Sequence, residues 1–214
     1  MINASIVLVT YCPNQVRYDF CERSFSEIHR TGVPRDKYEL IVVNNGGIHG
    51  DLIAALDADM VISMDRNVGQ AAGLNIGISV SQSINLALMD DDLSYKEGWL
   101  QAGLDVLYHY PKHVVSLRAV KKGYVTGVAG RGNKYARKVG GCWILRRELF
   151  EKVGRFGMYY FDFGGLWTRN LIRYGSRFVV SKTPYIFHLG GGKSMGSTPY
   201  RFFRWLDHPG KSIG

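Results

Sequence analysis

No apolar run in this chain reaches the roughly 18 residues that a membrane-spanning helix needs, so no transmembrane helix is expected. Cysteine is scarce. Cys12, Cys21 and Cys142 are an odd number at unrelated spacings. They form no CxxC pair and no disulfide framework, and a reducing cytoplasm is the simplest setting for them. The first ten residues, Met-Ile-Asn-Ala-Ser-Ile-Val-Leu-Val-Thr, lack a basic flank and a cleavage site. They are expected to form a first strand rather than a signal peptide. There is no internal repeat and no clear linker. Acidic residues are in deficit, 18 against 27 Lys and Arg, for a net charge of +9. Such a surface favours anionic partners, among them nucleic acid, nucleotide phosphates and an acidic membrane face. The basic residues are concentrated after position 110.

What is present reads as one globular domain of 214 residues, long enough to bury a substantial core. Short apolar strands are expected at Ser5–Thr10, Tyr38–Val43, Met60–Met64 and Ile84–Met89. Helices are expected between them: one with Val16, Phe20, Ser24 and Ile28 on its inner face and Phe25 beside them, a short one at Leu52–Leu56, and one at Gln70–Ser83. Strands alternating with helices across short loops argue for an α/β fold with a mostly parallel sheet. In such sheets ligands bind beyond the carboxyl ends of the strands. Tyr11, Asn44, Asn67 and Asp90–Asp92 all fall there. The second half is less regular. It predicts helices at Glu97–Tyr110, Arg146–Val153 and Phe163–Tyr174, and strands at Val114–Val120, Cys142–Leu145, Phe178–Val180 and Tyr185–Phe187. The Gly- and basic-rich stretch Gly123–Gly141 reads as a long loop, either a substrate lid or a surface loop.

The most informative segment is Asn85-Leu-Ala-Leu-Met-Asp-Asp-Asp92, an apolar run that stops on three carboxylates. A buried strand accounts for the run but not for three like charges at its exit, which repel one another. A hard divalent cation such as Mg²⁺ or Mn²⁺ would remove that repulsion. A solvated turn or a helix cap is the plainer alternative, because Asp is favoured in both.

In chain order the sequence carries Val9-Thr10-Tyr11; Glu39-Leu-Ile-Val-Val-Asn44-Asn45-Gly46; Asn67-Val-Gly69-Gln-Ala-Ala-Gly73-Leu-Asn75; and Leu88-Met-Asp90-Asp91-Asp92. These are followed by Gly140-Gly141-Cys-Trp-Ile-Leu-Arg146-Arg147-Glu-Leu-Phe150-Glu-Lys-Val-Gly154 and His188-Leu-Gly-Gly. This order and spacing resembles family 2 glycosyltransferases of the GT-A fold, across nearly the whole chain. The resemblance implies a mostly parallel central sheet flanked by helices. It implies a nucleoside-diphosphate sugar, with UDP the expected nucleotide, bound over residues 1–92. It also implies an acceptor, a glycan or lipid-linked glycan, bound over residues 93–214. The reaction implied is metal-dependent, inverting transfer to an acceptor hydroxyl.

The same resemblance assigns residues. Thr10 and Tyr11 fall where the family holds the nucleotide base, and an aromatic ring there can stack on it. Asn44 stands at a position often occupied by Asp in the family; an amide can both donate to and accept from a base edge. Asn67 and Gly69 match the segment that packs near ribose and pyrophosphate, where glycine permits close backbone approach. Asp90–Asp92 match the DxD signature. Asp90 would face ribose or metal, Asp92 would bind the metal, and Asp91, counted with the substrate-binding residues, would point away or brace the loop. The metal would be Mn²⁺ or Mg²⁺, stabilising the leaving diphosphate as a Lewis acid. His188 matches a histidine that completes the metal site in relatives with a triple-Asp signature, and a carboxylate–imidazole shell suits Mn²⁺. Asp162 is the single carboxylate where the family usually has an acidic pair. It is expected to be the general base among aromatics that raise its pKa, or else a helix cap. Asp105 and Glu148 are the alternative carboxylates. Trp143, Tyr159, Tyr160 and Trp167 would stack on acceptor sugars or pack the core.

Other readings compete. A nucleotidyltransferase shares the sheet, metal and nucleotide, but Tyr11-Cys-Pro-Asn-Gln lacks its early glycine-rich loop with a basic residue. A donor-binding module that has lost transfer fits the missing acidic pair. A nucleic-acid binder fits the +9 charge, but three carboxylates at a strand end oppose a phosphate backbone, so nucleic acid is not the expected partner. The tail Tyr200-Arg-Phe-Phe-Arg-Trp205-Leu is compatible with peripheral contact at the inner face of a membrane, where a lipid-linked acceptor would lie, and with covering the core.

Overall fold

The computed structural model describes residues 2–47, 50–121, 124–126, 134–136, 142–157 and 166–189, the side chains of 118–121, 124–126, 134–136, 182, 184 and 188 excepted. The elements in chain order are β1 (Ala4–Cys12), α1 (Gln15–Glu27), a 3₁₀ turn (Arg35–Lys37), β2 (Tyr38–Gly47), α2 (Gly50–Ala55), β3 (Met60–Ser63), α3 (Gln70–Val80), β4 (Asn85–Met89) and β5 (Leu93–Tyr95). They continue with α4 (Trp99–His109), β6 (Val114–Lys121), β7 (Tyr124–Thr126), β8 (Lys134–Ala136), β9 (Cys142–Arg146), α5 (Arg147–Val153), α6 (Leu166–Arg173) and β10 (Phe178–His188).

The strands form one sheet in the order β3-β2-β1-β4-β9-β6-β10-β5, with β7 beside β6 and β8 beside β10. The pairs β3–β2, β2–β1 and β1–β4 are parallel, β9 is antiparallel to both its neighbours, and β10 returns parallel to β6. Six of the eight strands on the main path therefore point the same way, the mostly parallel α/β architecture expected. The sequence did not disclose β9 lying between β4 and β6, or the short β5. The two strands expected at Phe178–Val180 and Tyr185–Phe187 are one strand, whose register to β6 shifts on either side of Pro184.

Successive residues of β1 serve opposite faces, as a pleated strand requires. Ile6 and Leu8 join a core with Phe25 and Ile28 on the α1, α2 and α4 side. Val7 and Val9 join Ala71, Leu74, Phe150 and Trp167 on the α3, α5 and α6 side. On the latter face α3 sits close enough that only glycine fits: a Cβ on Gly77 would lie 2.4 Å from Val7 Cγ1, and one on Gly73 2.8 Å from Val9 Cγ1. α6 stops at Gly175, whose φ of +74° terminates the helix as anticipated.

Ser24 and Phe25 of α1, and Ile28 at its end, are buried as expected, but its first half differs: Val16 is 55% exposed, and Arg17 and Cys21 are buried instead. The reason lies in the site the helix covers.

Candidate functional site at the carboxyl edge of the sheet

β1, β2 and β4 end side by side, with Thr10 opposite Asn44 and Leu8 opposite Met89. Their loops are tied together by side chains. Asn45 donates from Nδ2 to Asn67 Oδ1 at 2.8 Å, and its own Oδ1 accepts Val68 N–H at 2.8 Å. Asn67 Oδ1 also accepts Gly69 N–H at 2.9 Å, which shapes the entry to α3. Gly46, at φ +93°, packs beside the Tyr11 ring and the Asn67 backbone. Gly47 meets β1 so closely that a Cβ would stand 2.3 Å from the Cys12 carbonyl oxygen. Tyr11, Asn44, Asn67, Gly69 and the triple Asp are thus gathered at one edge, as the strand pattern implied.

The three aspartates divide between two helices. Asp90 turns to α3 and accepts from Gln70 Nε2. Asp91 turns to α1 and is buried. Its Oδ2 accepts the Thr10 hydroxyl at 3.1 Å, Tyr11 N–H at 2.9 Å and the Cys21 thiol at 3.5 Å, and its Oδ1 accepts Arg17 Nη2. Asp92 accepts Arg17 Nη1 on Oδ2 at 2.9 Å. Arg17, at 7% exposure, therefore bridges two buried carboxylates. This bridge draws Arg17 to the inside of α1, because a buried carboxylate pair without a counter-ion costs several kcal/mol. Burial pulls the Arg17 guanidinium down, but Asp91 and Asp92 more than reverse it and hold its pKa above the ordinary value. Burial, then repulsion from Asp92 and Asp91, pushes the Asp90 carboxyl well above the usual carboxylate range, against the opposing pull of Gln70 and Arg17.

β10 reaches the same edge. His188 pairs with Leu93 in the antiparallel β5–β10 ladder, and Leu189 N–H donates to the Asp92 carbonyl at 2.9 Å. The backbone of His188 thereby lies beside the triple Asp from nearly one hundred residues away. Among the described residues no group of three His, Cys, Asp or Glu side chains is arranged to hold a metal. The chemistry of the donor set nevertheless fits a divalent cation. Asp90 and Asp92 supply hard carboxylate oxygens, the donor type a divalent cation takes.

Two assignments change. Thr10 is fully buried and its hydroxyl is committed to Asp91, so it supports the site from beneath and does not face a base. Asp91 is the brace that one of its two readings gave, with its contacts directed into the fold. Trp143, at 2% exposure, stacks on Trp167 with ring centroids 5.7 Å apart and packs against Phe156 and Phe178. It has no open face for an acceptor sugar, because β9 lies inside the sheet. Asp162, Tyr159, Tyr160, the tail from Tyr200 and most of the lid stretch fall outside the described residues. Pattern reading missed Arg17, Asn45 and Gln70. The signal available for Arg17 was its place three residues after the capping Asn14, on the stripe that continues to Cys21.

A family model described as Glycosyl transferase family 2 matches residues 5–136. Glycosyltransferase AglE of Haloferax volcanii is 32% identical over 80 residues, a match covering 35% of this chain and 26% of that protein. Among solved structures, S. aureus TarS residues 1–349 in complex with UDP-GlcNAc gives a TM-score of 0.71 at 14% identity, covering 89% of this chain and 61% of that one. The same fragment in complex with UDP gives 0.68 at 13%, covering 87% and 60%. A longer S. aureus TarS structure gives 0.71 at 13%, covering 96% of this chain and 39% of that one. The chain thus spans less than two thirds of each of these relatives. No helix among the described residues is long and apolar enough to cross a membrane.

Proposed function

Because this chain belongs to glycosyl transferase family 2 and has the GT-A fold, we propose that it transfers a sugar from a nucleoside-diphosphate sugar to an acceptor hydroxyl with inversion. The observation that carries the reading is the gathering of Tyr11, the Asn45–Asn67 clasp, Gln70 and Asp90–Asp92 at one edge of the parallel sheet. UDP is the nucleotide of choice, since the similar TarS structures hold UDP and UDP-GlcNAc. The Tyr11 ring, beside Gly46, offers a flat surface to a base. The backbone at Gly69 opens α3 toward ribose and diphosphate, where N–H groups at a helix start favour anions.

A Mn²⁺ or Mg²⁺ held by Asp90 and Asp92, with His188 as third ligand, would supply Lewis-acid stabilisation of the departing diphosphate. Asp162 is the residue we assign to take the proton from the acceptor hydroxyl, leaving the oxygen to attack the anomeric carbon from the face opposite the diphosphate. The acceptor is a glycan or lipid-linked glycan bound by the second half of the chain.

The test is release of UDP from UDP-GlcNAc and other UDP-sugars, with Mn²⁺ and a panel of glycan and lipid-linked acceptors. Acceptor-dependent release is expected. Asp162→Asn is expected to lower it about 10²-fold or more while UDP binding persists. Full turnover in Asp162→Asn would remove that residue from the mechanism. No release with any donor would contradict the transfer reading.

A further inference from the structure

A buried arginine on the first turn of a helix is an expensive way to fill a core position. Val16 next to it is apolar and stands 55% exposed, while Arg17 goes inside. The position does not require a charge for packing, since its neighbours along the stripe are Cys21, Ser24 and Phe25. What it faces is the acidic loop: Nη1 on Asp92 Oδ2 at 2.9 Å and Nη2 on Asp91 Oδ1. Asp91 is further fixed by Thr10, Tyr11 and Cys21. Asp90, with Gln70 as partner, lies on the other side of the loop from this network.

We propose that Arg17 is a resident counter-ion that presets the acidic loop in the cation-free protein and competes with the divalent cation for Asp92. This rests on the reading of Asp90 and Asp92 as cation ligands. One guanidinium bonds both Asp91 and Asp92, while Asp90 stays crowded by like charge, so the loop is ordered before a cation arrives. A cation that reaches Asp92 meets a carboxylate whose Oδ2 is already bonded to Arg17, and the two positive charges compete for it. Arg17 thus acts through the two aspartates as a positioning residue and sets how tightly the site takes its cation.

The test is Mn²⁺ binding without nucleotide, followed by the electron paramagnetic resonance signal of the free ion, on the wild-type chain, Arg17→Leu, Arg17→Lys and Asp90→Asn. Melting is recorded with and without Mn²⁺. Arg17→Leu is expected to bind Mn²⁺ at least tenfold more tightly than wild type and to melt lower without it, with Mn²⁺ restoring more of its melting temperature than it adds to wild type. Arg17→Lys keeps the charge but places one compact ammonium where a two-armed fork stood. It is expected to fold where Leu does not, and to bind severalfold more tightly than wild type. Asp90→Asn is expected to lose binding. A purely structural arginine predicts the reverse, with equal or weaker binding in both Arg17 variants, and that result overturns the competition while leaving the cation site standing. No Mn²⁺ binding by any of the proteins overturns the cation reading itself and the competition with it.

Discussion

Three adjacent aspartates that look equivalent in the sequence should separate sharply when each is neutralised. Asp91→Asn keeps the shape of the side chain but can accept on one side only. Keeping its oxygen toward Thr10, Tyr11 and Cys21 turns its amide N–H groups onto the Arg17 Nη2 donor. Breaking a buried ion pair costs roughly 3–5 kcal/mol; Asp92 still holds the guanidinium, so about 3 kcal/mol is expected. For a chain of this length that is a fall of about 6–12 °C in melting temperature. Asp90→Asn should do the opposite. Its amide oxygen still accepts from Gln70, and the repulsion from Asp92 and Asp91 disappears. Repulsion between like charges is stronger in a buried site than in water, so stability should hold or rise by about 1 kcal/mol or more. The pH dependence gives a second reading. A carboxyl whose pKa is raised on folding binds more protons in the folded state, so stability falls as pH rises from its unfolded pKa toward its folded one. Asp90→Asn should remove that fall, and Asp91→Asn should keep most of it, because burial and Asp92 raise the Asp90 carboxyl more than Asp91 does. The assay is thermal melting from pH 4 to 8 in chelator. Equal destabilisation by the two substitutions would refute the division of the triplet between a structural pair and a third carboxylate crowded by like charge.

Three further outcomes follow from the packing and hydrogen bonds. Gly77→Ala gains about 1 kcal/mol of helix propensity but drives a methyl to 2.4 Å from the stiff Val7 side chain. Overpacking of 1–3 kcal/mol wins, and the urea midpoint should drop with an unchanged slope. Asn45→Ala removes the clasp between the β2 and α3 loops, and is expected to cost about 1–2 kcal/mol in urea melts and to weaken UDP binding in calorimetry, whereas unchanged affinity would separate the clasp from the donor site. His113 accepts Arg177 N–H on Nδ1 at 3.1 Å, and burial, then Arg177, lowers its pKa. The unfolded chain then binds the extra proton first, so stability is lost as pH falls through the ordinary histidine range. His113→Gln should flatten that part of a melting-temperature profile between pH 7 and 5.

The parallel half of the fold was legible because its strands are unbroken apolar runs. Ile6–Val9, Leu40–Val43 and Leu86–Met89 are buried on both faces, and each ends in a polar loop. The order of the remaining strands was not legible. Local pattern identifies β9 as a strand but does not say that it runs antiparallel between β4 and β6, and that placement is what buries Trp143. Pro184 reads as a break, yet β10 passes through it by shifting register. At the site, the triple Asp and the Asn-rich loop were visible as composition. Their partners were not, because hydrophobic periodicity favours Val16 over Arg17 for the inside of α1. The two buried carboxylates reverse that choice, and only tertiary structure shows them. Asn45 escaped for a similar reason. It is the neighbour of the residue the family pattern marks, and the pleat sends the two side chains to different sides.

The central claim is that the carboxyl edge of the sheet binds a nucleoside diphosphate with a divalent cation. Calorimetric titration of UDP, with GDP and dTDP beside it, tests this most directly. It should be run in Mn²⁺ and in chelator, on wild type and on Asp90→Asn, the variant expected to leave the fold intact. The account predicts binding of UDP that depends on Mn²⁺ and is lost in a folded Asp90→Asn protein. No binding of any nucleotide by the folded wild-type chain, or undiminished binding by Asp90→Asn, would contradict it.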